Sequence, residues 1–134
     1  MTEENKKENI RISLDKASKM SLEADVLFRA GFVAGAVSRL YYFLLHTVRA
    51  LLLSKGLEPK SHEGVLRVFG LRFVKECIFE PKHSHIFARL MKYREEADYN
   101  PSYVFTVEDF VEFRAEAEVL ADKIKAYLEE KMYI

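Results

Sequence analysis

Two sets of polar side chains sit on helix faces that should be apolar. In SRLYYFLLHTVRALLL, residues 38 to 53, the polar positions Arg39, Tyr42, His46 and Arg49 follow at steps of three, four and three, with Gly35 four residues earlier and Ser38 at the edge. On a helix those steps draw one polar stripe along an otherwise apolar rod. In KYREEADYN, residues 92 to 100, Arg94 continues the face of Ile86, Phe87, Leu90 and Met91, and Asp98 follows one turn later beside Tyr99. A guanidinium takes phosphate or carboxylate through two parallel hydrogen bonds, a carboxylate four residues on can orient it, and an imidazole exchanges a proton near neutral pH. A phenol with a pKa of ~10 is a poor substitute for that imidazole.

Energetics sharpen the question of Arg94. An exposed Arg–Asp pair at a four-residue step contributes only ~0.2–0.5 kcal/mol, too little to hold a guanidinium on the apolar side of a helix. Burying a cation without a partner costs several kcal/mol. Arg94 therefore either belongs to a solvated pair at a frayed helix end or lines a groove or subunit interface. The central stripe has the same two readings, a solvent edge or a ligand-facing surface, and Tyr42 and His46 could also serve as hydrogen-bonders between helices.

The elements that must carry these groups all read at the helical period. Ile10, Leu14, Ala17, Met20, Ala24, Leu27 and Phe28 share one face from about residue 7 to 30, with Gly31 as the stop. The segment from about 32 to 55 is apolar nearly all round and should be the rod that the others pack against. After the turn from Gly56 to Pro59, Ser61 can cap a shorter helix through Val65, Leu66, Phe69, Phe73 and Val74, although Gly64 and Gly70 weaken it. Pro81 suits the first turn of a fourth helix, and Pro101 forbids its continuation past about residue 99. Thr106 with Asp109 three residues on opens the last helix, whose buried face is Val107, Phe110, Val111, Ala117, Leu120, Ile124 and Leu128. The expected fold is an all-α antiparallel up-down bundle of four or five helices, one domain over residues 1–134 with a short flexible stretch at about 1–6.

Composition excludes several classes of function. A chain of 134 residues, 49% hydrophobic, can bury a core without disulfides or metal. The lone Cys77 forms no internal bridge, which favours a reducing cytoplasm, and we expect a buried, inert thiol there. No apolar run reaches the ~20 residues that cross a bilayer, and no phosphate-cradling glycine loop, nucleophile elbow or zincin helix occurs. His83 and His85 point to different sides of a helix, so no metal site is expected, and no cofactor is implied. His62 reads as part of the Ser61 cap or of the surface. Charge is zero overall but uneven: residues 31–79 hold seven Lys/Arg against three Asp/Glu, and residues 106–134 hold four against eight. The simplest expectation is that these two regions pair with each other, and a broad nucleic-acid footprint is disfavoured.

The run AVSRLYYFLLHTVRALLLSKGLEPKSHEGV, followed by LMKYREEADY, resembles the small stand-alone prokaryotic branch of the HEPN family over about residues 8 to 130. The resemblance implies a helical bundle, a homodimer, and association with a minimal nucleotidyltransferase in toxin–antitoxin-like modules. Active members of that family are metal-independent RNases with an Arg-x4–6-His motif near the end of a late helix. Here Tyr99, Asn100 and Pro101 stand where that His would fall after Arg94, and the other match to the spacing, Arg39 to His46, lies on the central helix. The favoured expectation is a binding and interaction protein with a groove of Arg39, Tyr42, His46, Arg94, Asp98 and Tyr99 that holds a nucleotide, an RNA end or a partner segment. The alternative is a divergent endoribonuclease using Arg94 with His46 or Tyr99. A third is a helical dimerisation module without a ligand.

Overall fold

Five α-helices account for the periodic segments of the computed structural model, which describes residues 2–134. They are α1 Glu3–Arg29, α2 Val33–Leu53, α3 His62–Phe69, α4 Pro81–Tyr99 and α5 Val107–Glu130. No strand forms among the described residues. The apolar rod expected from the sequence is α2, which packs against α1, α3, α4 and α5 and buries Leu40, Tyr41, Leu44, Val48, Leu51 and Leu52 completely. Each outer helix supplies one stripe to this axis: Ile10, Ala17 and Ala24 from α1, Phe87 and Leu90 from α4, and Ala117, Leu120, Ile124 and Leu128 from α5. The result is the all-α bundle that the 3.6-residue period predicts.

Local chemistry sets the ends. Pro81 occupies the first turn of α4, where its missing N–H has no partner to lose. Thr106 and Asp109 form a reciprocal capping box, with Asp109 N–H donating to the Thr106 hydroxyl at 3.0 Å and Thr106 N–H donating to the Asp109 carboxylate at 2.9 Å. Helix α1 starts at Glu3, ahead of residue 7 where its apolar repeat begins. Polar contacts extend it: the Thr2 hydroxyl accepts from Asn5 N–H at 3.1 Å, and the Tyr133 hydroxyl donates to the Glu3 carboxylate at 3.0 Å. The third helix runs shorter than the sequence predicts. It ends at Phe69 and continues as a π-helical turn over Gly70–Val74, closed by Lys75 N–H on the Gly70 carbonyl at 2.8 Å.

Four chain reversals share one device. At residues 31, 56, 77 and 132 the backbone turns left-handed, and each turn is closed by the paired 6→1 and 5→2 hydrogen bonds of a Schellman motif, such as Phe32 N–H to Leu27 O at 2.8 Å and Ile78 N–H to Phe73 O at 2.8 Å. Glycine fills two of these positions, but Cys77 (φ 63°) and Met132 (φ 66°) fill the others. Cys77 is consequently exposed, which corrects the expectation of a buried thiol: the left-handed position directs its side chain away from the core.

The charge pairing also differs from expectation. Arg39 pairs with Glu23, and Lys55 and Arg72 pair with Glu76, whereas in α5 Glu116 meets Arg89 of α4 and Arg114 meets Asp25 of α1. Among the described residues no ion pair joins the basic middle to the acidic last helix. The two regions carry opposite net charge, but pairing follows neighbouring faces: Arg39 finds its partner on α1, Lys55 and Arg72 find theirs within the basic middle, and α5 pairs with α1 and α4.

Two stability predictions follow from these ends. Thr106→Ala removes one arm of the capping box and should cost about 1 kcal/mol by chemical denaturation. Cys77→Gly and Met132→Gly relieve a left-handed penalty of roughly 1–2 kcal/mol, partly offset by glycine's entropy, so each should raise stability by up to about 1 kcal/mol. A lowered melting temperature in both glycine variants would contradict this account of the turns.

Candidate functional site

The guanidinium of Arg94 is buried, at 9% exposure, beneath the join of α2, α3 and α4. Four groups surround it. Asp98, a turn further along α4, lies 3.7 Å from Nη1, and the Nδ1 atom of His62 lies 3.4 Å from Nη2. The rings of Tyr41 and Tyr42 on α2 lie beneath the cation, 5.3 and 5.9 Å from it to their centroids, within cation–π range. Arg94 Nε and the Tyr41 hydroxyl are both buried without a hydrogen-bond partner. Burial pushes the Tyr41 phenol up from its ordinary value, so it stays protonated.

His62 comes into reach through the local design of the α2–α3 connection. Ser61 caps α3 by accepting from Gly64 N–H at 2.9 Å. A Cβ on Gly64 would stand 2.9 Å from the Ser61 Oγ and 3.2 Å from the Pro59 Cβ, so the absence of a side chain lets the connection fold tightly onto the helix start. Arg49 of α2 anchors the same connection by donating to the Pro59 carbonyl at 3.1 Å. The cap therefore belongs to Ser61, while the neighbouring imidazole is free to turn towards Arg94.

Beside this cluster lies a cavity of about 380 Å³ between α1, α2 and the connection, lined by Ser13, Lys16, Tyr42, Leu45, His46, Arg49, Leu53, Leu57, Glu58, Pro59 and His62. Its lining combines the apolar side chains of Leu45, Leu53, Leu57 and Pro59 with Lys16, Arg49 and two imidazoles, against the single carboxylate of Glu58. Burial first, then nearby cations, holds both His46 and His62 below the ordinary imidazole range, with Lys16 and Arg49 acting on His46 and Arg94 and Arg49 on His62. Both rings are therefore neutral at neutral pH.

The residues singled out from the sequence divide between these surroundings. Tyr42 and His46 line the cavity, and Tyr42 also touches Arg94. Arg94 and Asp98 form the adjoining pair, and Arg94 reaches the cavity through two of its lining residues, Tyr42 and His62. Arg39 does not line the cavity; it is tied to Glu23 of α1 at 2.9 Å. Tyr99, 76% exposed at the end of α4, also lies outside it. Sequence reasoning missed Lys16, which lies on the first helix, and assigned His62 to the cap or the surface. Its contact with Arg94 spans 32 residues, a separation at which no periodicity speaks. Away from this site, His83 is 1% exposed with neither ring nitrogen partnered, and burial lowers its pKa as well.

These depressed imidazoles dictate a pH dependence. Their folded pKa values lie below the unfolded value of 6.5, so below that pH the unfolded chain binds more protons than the folded one. Their contribution is complete above pH 6.5 and lost as pH falls through the folded values. Thermal melts taken from about pH 7.5 down to about pH 5 should show a falling melting temperature, and His83→Leu should flatten the slope. A melting temperature flat across that range would contradict the neutral-imidazole assignment.

Comparison with known proteins agrees with this architecture. Residues 10–128 match the HEPN domain. The chain is 36% identical over 124 residues to "Putative toxin MJ0605" of Methanocaldococcus jannaschii, covering 92% of each chain. It is 31% identical over 115 residues to "Putative toxin MJ0142" of the same organism, covering 86% of this chain and 78% of that one. A UPF0332 protein of Thermotoga maritima is 32% identical over 108 residues, covering 81% and 82%. With the domain matched over most of its length and relatives above 30% identity aligned nearly end to end, this chain belongs to the HEPN domain family.

Proposed function

We propose that this is a toxin-like HEPN protein that holds a phosphate-bearing ligand, a nucleotide or an RNA end, in the cavity beside Arg94, and that it works as a homodimer in a module with a minimal nucleotidyltransferase. The supporting observation is the imbalance of charge at that cavity. Lys16 and Arg49 face a single carboxylate, Arg49 has no ion-pair partner among the described residues, and two neutral imidazoles add donors. The apolar lining residues Leu45, Leu53, Leu57 and Pro59 offer a base or sugar apolar contact. The toxin-like character rests on the relatives' names and on the shared domain. No helix of the described residues is long and apolar enough to cross a membrane.

A second reading, metal-independent RNA cleavage, draws support from one further observation. His46 and His62 line the same cavity, whereas the late-helix position expected for an imidazole carries Tyr99. Of the two stand-ins for the missing base, His46 and Tyr99, only His46 is in that lining.

Calorimetric titration with AMP, inorganic phosphate and a short single-stranded RNA tests the binding reading. Lys16→Met and Arg49→Met should each weaken binding about tenfold, the equivalent of losing ~1.4 kcal/mol. Silence across all three ligands defeats that reading. Incubation of labelled RNA with the wild type and His46→Ala separates the two readings, since cleavage abolished by the substitution would make this protein a nuclease. Sedimentation of the unliganded chain checks the dimer.

A further inference from the structure

Arg94 is buried and does not line the cavity; of the lining residues it meets Tyr42 as a ring face and His62 through a ring nitrogen. A guanidinium carries five N–H donors and no acceptor, so its contact with Nδ1 requires a lone pair on that nitrogen. The proton of a neutral imidazole must then sit on Nε2. The geometry points to Arg94 as a positioning residue: it fixes His62 as the Nε2–H tautomer, so that His62 meets a ligand in the cavity as a hydrogen-bond donor, and His46 is left as the imidazole able to accept a proton there.

The surroundings of His62 support this from every packed element. Arg94 stands over it from α4, and Arg49 contributes a second cation from α2. The Tyr41 and Tyr42 rings of α2 pack against it at centroid distances of 5.7 and 6.0 Å. Glu63, the next residue on α3, is the one acid acting on it, and its effect is smaller than that of burial or of either arginine. A proton added at Nδ1 would meet the Arg94 guanidinium head-on and break the contact. Nε2 forms no hydrogen bond within the protein among the described residues, so it is the nitrogen left for a ligand. His46 has no such lock. It lines the cavity three residues before Arg49, and neither of its ring nitrogens is committed to a partner among the described residues.

This division of roles deepens the proposed binding reading by naming what His62 recognises: a hydrogen-bond acceptor, such as a phosphoryl oxygen, and not an ammonium. It also separates Arg94 from direct phosphate contact. Arg94 would act at second hand, and its loss would be felt through the orientation of the ring.

The test needs no ligand. Long-range proton–nitrogen NMR on the full, nitrogen-labelled chain reports which ring nitrogen of each histidine carries the proton, with His62→Gln assigning the resonance. The wild type should show His62 as Nε2–H, neutral at about pH 7.5, and Arg94→Met, with circular dichroism confirming the fold, should give a mixture of tautomers and a His62 pKa moved up towards the ordinary range. Arg94→Lys keeps a donor and should retain much of the wild-type signature. A wild-type Nδ1–H tautomer, or one unchanged in folded Arg94→Met, overturns the assignment. In a separate arm, His62→Gln keeps a donor near the Nε2 position and should bind AMP within about threefold of wild type, whereas His62→Leu should lose about tenfold. Equal losses in both would overturn the donor role. If AMP does not bind the wild type but the tautomer responds to Arg94 as described, the positioning role stands and the binding reading alone fails.

Discussion

A guanidinium placed inside a helical bundle is the constraint around which the rest of this site is arranged. Removing that charge from water is costly, and one carboxylate at 3.7 Å is a thin compensation. The structure adds what side chains of uncharged type can offer: two aromatic faces beneath the cation and an imidazole nitrogen at its edge. Both rings come from α2 and the imidazole from α3. Tyr41 and Tyr42 require α2 to present consecutive aromatic positions towards α4, and His62 requires the α2–α3 connection to close tightly over Gly64. The placement of one charge thus ties together three elements that an apolar core alone would leave free to slide.

The central helix carries the opposite tension. It is the most apolar segment, yet it bears Tyr42, His46 and Arg49 along one line. A helix buried on every side cannot carry such a line, so the bundle must leave a gap along it. That gap is the cavity between α1, α2 and the connection. Its cationic side follows from the same arrangement, because Arg49 is held by a carbonyl oxygen and keeps its charge uncompensated.

Much of this was legible in the amino-acid order. The 3.6-residue period located each helix, Pro81 and Thr106 marked two starts, and the steps from Tyr42 to Arg49 foretold a polar line on the central rod. The identity of Arg94 as a residue out of place was visible as well, because its energetic anomaly needs only local spacing. Its partner was not. His62 sits beside a serine that is itself a strong cap, and the local signal of Ser61 masked the long-range contact of its neighbour. Lys16 was hidden in the same way, since on an amphipathic helix a lysine reads as solvent-facing until a second helix is known to flank it. Cys77 misled for a different reason. Its hydrophobicity argued for burial, while the turn closed by Ile78 and Phe73 demanded a left-handed residue, and backbone geometry overrode the preference of the side chain.

Arg94 Nε and the Tyr41 hydroxyl, two of the buried polar atoms left without partners, have an evolutionary implication. Groups of this kind lower the free energy gained on folding, and replacing buried charge by apolar volume often makes proteins sturdier. A lineage selected only to keep this bundle folded would drift towards leucine or methionine at position 94. Under the proposed function, arginine at this position trades durability for a task, which sets this corner of the molecule apart from a core that answers to packing alone.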